Sequence, residues 1–287
     1  MAWLLTRSIT GLKRWRAKLI EKEIGMEKRG SKLAVQLYTL RDFTKTGRDL
    51  SETLARIARM GYPAVQISAV ACLGKEVSAR EVRKMLDDNS LKCIATHRGW
   101  GDLMTATEHE IEIHKELGCD YAAIGGVPAD YGNTPDGYRR WLSDAKPVIA
   151  KLKASGIRFG HHNHSHEFMR FAGEKRGSLE NILIEEGGPD LCLELDLYWV
   201  ENAGFNCTRV VERCHGRLPV IHLKDKEVVA EGPVMAPIGE GNMDWAHIIP
   251  ACEAAGVCWY AVEQDTCRRD PFDCVRSSFD YLAGMGL

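Results

Sequence analysis

Residues 156–168 read GIRFGHHNHSHEF. Ile157 and Phe159 alternate with smaller or polar neighbours, which is the period-2 pattern of a strand. The chain then turns polar at once, with four histidines, an asparagine and a glutamate between positions 161 and 167. A strand that ends in imidazoles raises the question of how many other strands end the same way.

Seven further runs carry the strand pattern: 33–38, 64–68, 91–97, 121–125, 191–196, 218–225 and 259–265, with 157–164 as the fifth in order. Helix-like segments separate them, among them RDLSETLARIARMG, SAREVRKMLDDNS, ATEHEIEIHKELG and TPDGYRRWLSDAKPVIAKLKASG. Their Ser/Thr starts and Gly ends match helix-capping chemistry. Eight strand–helix units, in a chain near the roughly 250 residues of many such domains, predict a single (β/α)8 barrel over 31–287. A doubly wound open sheet is the alternative, but no strand runs into a G-x-G-x-x-G or G-x-x-x-x-G-K-[ST] loop.

Composition narrows the partners. The 45% apolar content supplies a sizeable core, and a net charge of −2 gives no bulk reason to expect nucleic acid or anionic lipid. A small-molecule substrate is expected, and a homo-oligomer is compatible. Ten cysteines without a C-x-x-C pair point to reduced, cytoplasmic thiols. No run approaches the roughly 20 apolar residues of a membrane span. Residues 1–30 read as an amphipathic, basic helical extension, with Leu5, Ile9, Leu12, Arg16 and Leu19 at helical spacing. Packing on the barrel, or an extension upstream of an alternative start at Met26, is preferred there to a membrane-surface anchor.

In such a barrel, chemistry collects at the C-terminal strand ends. Strand parity pairs His162 with His164, Glu194 with Asp196, His222 with Lys224, and Glu263 with Asp265, each pair on one face. One histidine near a strand end is ordinarily a hydrogen-bonded loop residue. Four strand ends converging with carboxylates predict a cation, because burying unpaired carboxylates together is costly. Mixed imidazole and carboxylate donors suit one divalent ion such as Mn, Co, Fe or Zn, not Ca.

The strand ends HHNH, LELDLYW, IHLKD and VEQD, with LAVQLYTLRD at the start and PIGEGNMDW before the last unit, resemble the xylose isomerase-like TIM barrels, the sugar phosphate isomerase/epimerase superfamily. The resemblance covers about residues 32–285. It implies one divalent metal bound by Glu, Asp, His and Glu from strands five to eight. Asp196, His222 and Glu263 match the last three. His162 stands where ketose epimerases of the family carry glutamate, and in those enzymes the two ligand glutamates move protons on opposite faces of the substrate. The pattern is therefore closer to relatives with histidine-rich fifth strands, for which dehydratase or eliminating activity on keto-sugars and ketocyclitols is expected.

Isomerisation, epimerisation and elimination share one first step, loss of a proton beside a carbonyl whose enediolate a metal stabilises. Glu263 is the carboxylate base candidate; His97, His164 and Lys224 are the alternatives. Lys224 has two readings, a base or acid whose cationic form is disfavoured by burial or an ion pair with Asp225 or Glu194. Gln36, Tyr38, Arg98, Glu194 and Trp199 are candidate substrate contacts. Trp100, Tyr198 and Trp245 are aromatic candidates balanced against core packing. Glu167 reads as a structural hydrogen-bonding group. PIGEGNMDW reads as a loop closing over the site or as a helix cap through Asn242 or Asp244. A sugar isomerase/epimerase is the leading expectation and a lyase the next. An endonuclease IV-like nuclease is disfavoured because only His97 supplies an early-strand ligand, and a non-catalytic metal-binding scaffold is the remaining alternative.

Overall fold

Eight short strands run parallel in the computed structural model, which describes residues 31–173 and 178–287; the helix expected within 1–30 lies outside them. They are β1 (Leu33–Gln36), β2 (Ala64–Ile67), β3 (Lys92–His97), β4 (Tyr121–Ile124), β5 (Arg158–His162), β6 (Leu191–Glu194), β7 (Val220–Leu223) and, after a hairpin of β8 (Asp225–Val229) and β9 (Gly232–Ala236), β10 (Trp259–Val262). The pairing order β6-β5-β4-β3-β2-β1-β10-β7 follows the chain from β1 to β6, joins the first strand to the last through β1–β10, and sets β7 beside β10. Closure between β6 and β7 uses backbone bonds from Leu193 N to Arg217 O and from His222 N to Leu195 O, both 2.8 Å. A parallel bridge from Asp196 to His222 completes it. This is the predicted single-domain (β/α)8 barrel.

Alternation along each strand sorts the side chains. Outward residues such as Leu33, Val35, Val65, Phe159, Leu193, Ile221 and Val262 join the large core beneath the helices. Inside, Ala34, Ala64, Ala95, Ala123, Cys192, Val220 and Ala261 pack around Tyr121. Two residues further along their strands stand Gln36, Gln66, His97, Glu194, His222 and Glu263, so small residues floor the barrel and polar ones fill its mouth.

Gly160 belongs to that floor. A Cβ there would lie 1.9 Å from the Tyr121 hydroxyl oxygen and 2.7 Å from Cζ, and Tyr121 is wholly buried with no room to swing. Gly160→Ala should therefore destabilise the barrel by at least about 1–3 kcal/mol. Urea unfolding checks this, and an unchanged midpoint would mean that the phenol is not packed there.

The helices begin where capping chemistry placed them. Thr46 Oγ1 accepts from Asp49 N while the Asp49 carboxylate accepts from Thr46 N, both at 3.1 Å. Ser78 and Glu81 form the same reciprocal box. Helix Pro135–Ala154 continues through Pro147 as one element. All ten cysteines are free thiols. Among the described residues no helix is long and apolar enough to cross a membrane.

Two expectations need correcting. The strand ladders stop before the predicted ends, because the polar residues there enter the loops: Asp196 becomes the N-cap of helix Leu197–Asn202, its carboxylate accepting from Trp199 N at 3.3 Å. The β8–β9 hairpin is absent from the sequence reading. Its five-pair antiparallel register, Asp225↔Ala236 through Val229↔Gly232, is set by a turn at Ala230 and Glu231, which lack the usual Asn-Gly or Asp-Gly hairpin signal.

Candidate metal centre and catalytic pocket

The mouth of the barrel opens into a cavity of about 320 Å³ lined by Gln36, Tyr38, Ser68, His97, Gly125, His162, His164, Lys224, Glu263 and Asp265. A larger cavity of about 490 Å³ lies at the opposite end, beside Leu91, Lys92, Asp120 and Trp259, where the strands begin. Its lining holds no histidine. The convergent chemistry is at the mouth, as barrel architecture requires.

His222, on β7, is the hub. Its Nδ1 lies 2.8 Å from Glu263 Oε2, and its Nε2 lies 2.8 Å from Gln66 Oε1 and 2.9 Å from Glu194 Oε1. Glu194 Oε1 also meets His97 Nε2 at 2.5 Å and accepts from Gln66 Nε2 at 2.9 Å. His162 stands 3.9 Å from both Glu194 and Asp196. Lys224 Nζ closes the upper side, 2.8 Å from Asp196, 2.9 Å from Glu263 and 3.0 Å from Asp265.

Charges in this buried cluster set one another's protonation. Burial pushes the Asp196 carboxyl up to about 6, with Lys224 countering only part of the effect. Burial also acts to raise Glu194, but His222 and His97 reverse it and hold that carboxyl down at about 2. Glu263 is held far below the ordinary carboxylate range, because Lys224 and His222 outweigh its burial. Burial would lower His222, yet Glu194 and Glu263 push it up to about 10. Burial, reinforced by His222, keeps the His162 imidazole neutral.

Two overlapping donor groups can hold a cation: His162, Asp196, His222 and Glu263, and His97, His162, Glu194 and His222, with ligand atoms within 4.8 Å of one another in each. The residues fit a dication on charge as well. Glu194, Asp196 and Glu263 are buried carboxylates, and Lys224 balances one of them. The two negative charges left over match a divalent ion once His222 gives up its proton. His162 Nδ1 and Glu194 Oε2 are buried without hydrogen-bond partners, a costly state that a cation relieves. Each group contains two residues of the cavity wall, His162 with Glu263 in the first and His162 with His97 in the second. In the second, Glu194 is sealed below that wall and its Oε1 is already engaged by three partners.

The other sequence candidates divide. Gln36 and Tyr38 line the cavity, with Gln36 Oε1 accepting from Tyr38 N at 2.8 Å. Trp199 flanks the wall, its ring 5.6 Å from Lys224 Nζ and 5.8 Å from the His164 ring. Arg98 is a correction: its guanidinium makes a bidentate pair with buried Glu110 at 2.6 and 2.7 Å, so it faces the next helix and not the cavity. Glu194 is wholly buried with its Oε1 taken by Gln66, His97 and His222, and it is not part of the cavity wall. For Lys224 the ion-pair reading holds, with partners other than those expected. Three carboxylates keep it an ammonium well above its ordinary range despite burial, and its partners are Asp196, Glu263 and Asp265, not Asp225 or Glu194.

Asp225 belongs to the loop. Its carboxylate accepts from the backbone N–H of Lys226 and Gly239 at 2.8 Å, of Gly241 and Met243 at 3.2 Å, and from Trp245 Nε1 at 2.7 Å. PIGEGNMDW is thus folded around an anion, and Asn242 accepts from Val228 N on the hairpin at 2.7 Å. Asp244 occupies the following N-cap without a side-chain capping bond, its carboxylate lying 2.7 Å from His247 Nδ1 instead. Trp245, like Trp100 against Trp141 and Phe159, is core. Tyr198 packs edge-on against Trp199. Glu167 is a buried hydrogen-bonding group, accepting from His164 N at 2.8 Å.

Gln66 and Ser68 were missed as site residues, and Asp265, read as the parity partner of Glu263, was given no role. Gln66 carries a usable signal, since AVQI places an amide inside an apolar strand with the parity of Gln36 in LAVQ, opposite which it pairs.

Among solved structures, a sugar phosphate isomerase/epimerase from Parabacteroides distasonis is similar at 24% identity, covering 88% of this chain and 94% of that one, with a TM-score of 0.72. An L-ribulose 3-epimerase follows at 15% identity, 89% and 94% coverage and a TM-score of 0.68. The IOLI protein with a bound zinc atom is similar at 15% identity, 89% and 99% coverage and a TM-score of 0.67. At these identities the likeness is one of fold. No curated protein sequence matches the chain. The model of the xylose isomerase-like TIM barrel matches residues 54–283, and with the barrel and its polar mouth in place the chain belongs to that family.

Proposed function

We propose that the chain is a divalent-metal-dependent enzyme that enolises a ketose or keto-sugar, acting as a sugar isomerase or epimerase. The observation that carries this reading is the mouth itself: His162, Asp196, His222 and Glu263 as cation donors, with Lys224 and His97 beside them on one cavity. A dication held there supplies Lewis-acid stabilisation of an enediolate, worth several kcal/mol. Glu263, ionised and on the wall, takes the proton next to the carbonyl. The Lys224 ammonium stabilises the oxyanion that develops. His97, on β3 across the mouth from β10 and braced by Glu194, handles the proton on the opposite face. Gln36 and Tyr38 bind hydroxyls. A non-phosphorylated substrate fits best, since the cationic side chain on the wall, Lys224, is already neutralised by carboxylates.

One observation favours a second reading. A histidine, His162, ends β5 where ketose epimerases of the family carry glutamate, and burial keeps it neutral, so the two-glutamate arrangement of a ketose epimerase is absent. If a leaving group lies β to the carbanion, the same first step ends in elimination, and the enzyme is a lyase.

The test is proton exchange in D₂O over a panel of ketoses, inososes and 3-keto-glycosides with metal-loaded protein. Deuterium at the carbon beside the carbonyl, with an isomer formed, supports the first reading; an unsaturated or cleaved product supports the second. Loss of label-free substrate to neither, across the whole panel, counts against enolisation.

Metal binding should release protons. His222 carries one up to about pH 10 and a metal ligand must be unprotonated. Affinity should therefore rise by about tenfold per pH unit between about 6 and 10. Below about 6 it should fall more steeply, as Asp196 also takes up a proton. Calorimetry in buffers of different ionisation enthalpy checks this: about one proton released per metal at pH 8 is expected, and none would contradict it.

A further inference from the structure

The four imidazoles of HHNHSHEF do not serve one centre. His162 enters the cluster just described, and His161 points the other way, beside Trp141 beneath the helices. His164 and His166 form a separate group with Glu167. We propose that this group, in the loop after β5, holds a second transition-metal ion of the Zn²⁺ or Co²⁺ class, independent of the first.

One donor atom from each of His164, His166 and Glu167 lies within 4.8 Å of the others. Glu167 is wholly buried. Its Oε2 is fixed by the backbone N–H of His164 at 2.8 Å, which turns Oε1 toward the imidazoles. His166 Nε2 stands 3.0 Å and His161 Nε2 3.6 Å from Oε1, yet Oε1 receives no well-directed hydrogen bond, and buried His164 Nδ1 has no partner either. A structural role for Glu167 needs the backbone bond and one imidazole. It leaves the second imidazole unexplained, although the His164 and His166 rings lie nearly parallel, 17° apart with centroids at 5.8 Å.

Two imidazoles and one carboxylate form the three-ligand set of open transition-metal sites, and are poorly suited to Mg²⁺ or Ca²⁺. The His166 side chain is 39% exposed, which leaves an entry path and room for water at the remaining positions. Asn202 Nδ2 donates to Ser165 Oγ at 2.9 Å, pinning the loop to helix Leu197–Asn202. No ligand is shared with the four-donor group. His164 also lines the cavity, so the second ion belongs to the wall facing a distal part of the substrate.

The test is Co²⁺ titration of the metal-stripped full chain, read by visible absorption and by bound metal after desalting. The wild type should take up about two equivalents and His166→Ala about one, with the lost equivalent weakened at least about tenfold. His222→Ala should lose the other equivalent and keep this one, which separates the two sites. Because His166 is partly exposed, its variant should fold, and its melting curve without metal should match the wild type. Saturation of the wild type and His166→Ala at the same stoichiometry, or a second equivalent that survives in both His166→Ala and Glu167→Gln, overturns the assignment.

Discussion

Glu263→Gln should lower kcat/KM by about a thousandfold or more, even at saturating metal. Glu263 sits where three functions meet: it touches His222 at 2.8 Å and Lys224 at 2.9 Å, belongs to the four-donor group and lines the cavity. Glutamine keeps the shape but removes the charge, so it weakens the metal and eliminates the proton acceptor together. A metal titration separates these two effects. If activity recovers fully when metal is raised, Glu263 is a ligand only and the base lies elsewhere, with His97 next in line.

The second large effect is on stability. Asp225→Ala should cost about 3–5 kcal/mol, because a wholly buried carboxylate accepting five N–H groups leaves them all without an acceptor. Asp225→Asn should be intermediate, since one amide oxygen can still accept while its NH₂ faces other donors. Urea unfolding measures both. A loss below about 1 kcal/mol for the alanine variant would show that water or a rearranged loop satisfies those donors. Lys224 immediately precedes Asp225, so the same variant should also loosen the ammonium that faces Asp196 and Glu263.

The fold was legible because two periodicities were clear. LAVQ, AVQI, LCLE and VIHL are short apolar runs with one polar residue at or next to the C-terminal end, and the Thr46 and Ser78 boxes mark where helices begin. Parity put His162, Asp196, His222 and Glu263 on inward faces with their strand-end partners, because closing the barrel turns one face of every strand inward, and the family resemblance picked these four as the ligand set. Partner choice was not legible. Arg98 follows β3 as a substrate-binding arginine might, but its carboxylate sits twelve residues on in a helix whose rotation the sequence does not set. Lys224 looked like a base because burial disfavours charge; its three carboxylates come from two other strand ends, Asp196 after β6 and Glu263 and Asp265 after β10, and their sum outweighs burial. Asp225 looked like its ion-pair partner until the Gly-rich loop wrapped around it. Each miss concerns a charge whose state depends on groups distant in the chain.

The central claim is that a divalent ion sits among His162, Asp196, His222 and Glu263, and anomalous diffraction from crystals grown with Mn²⁺ tests it most directly. The account predicts a strong anomalous peak within coordinating distance of all four residues. A peak centred instead on His97 and Glu194, or no peak at the barrel mouth with Lys224 still bridging Asp196 and Glu263, would contradict it.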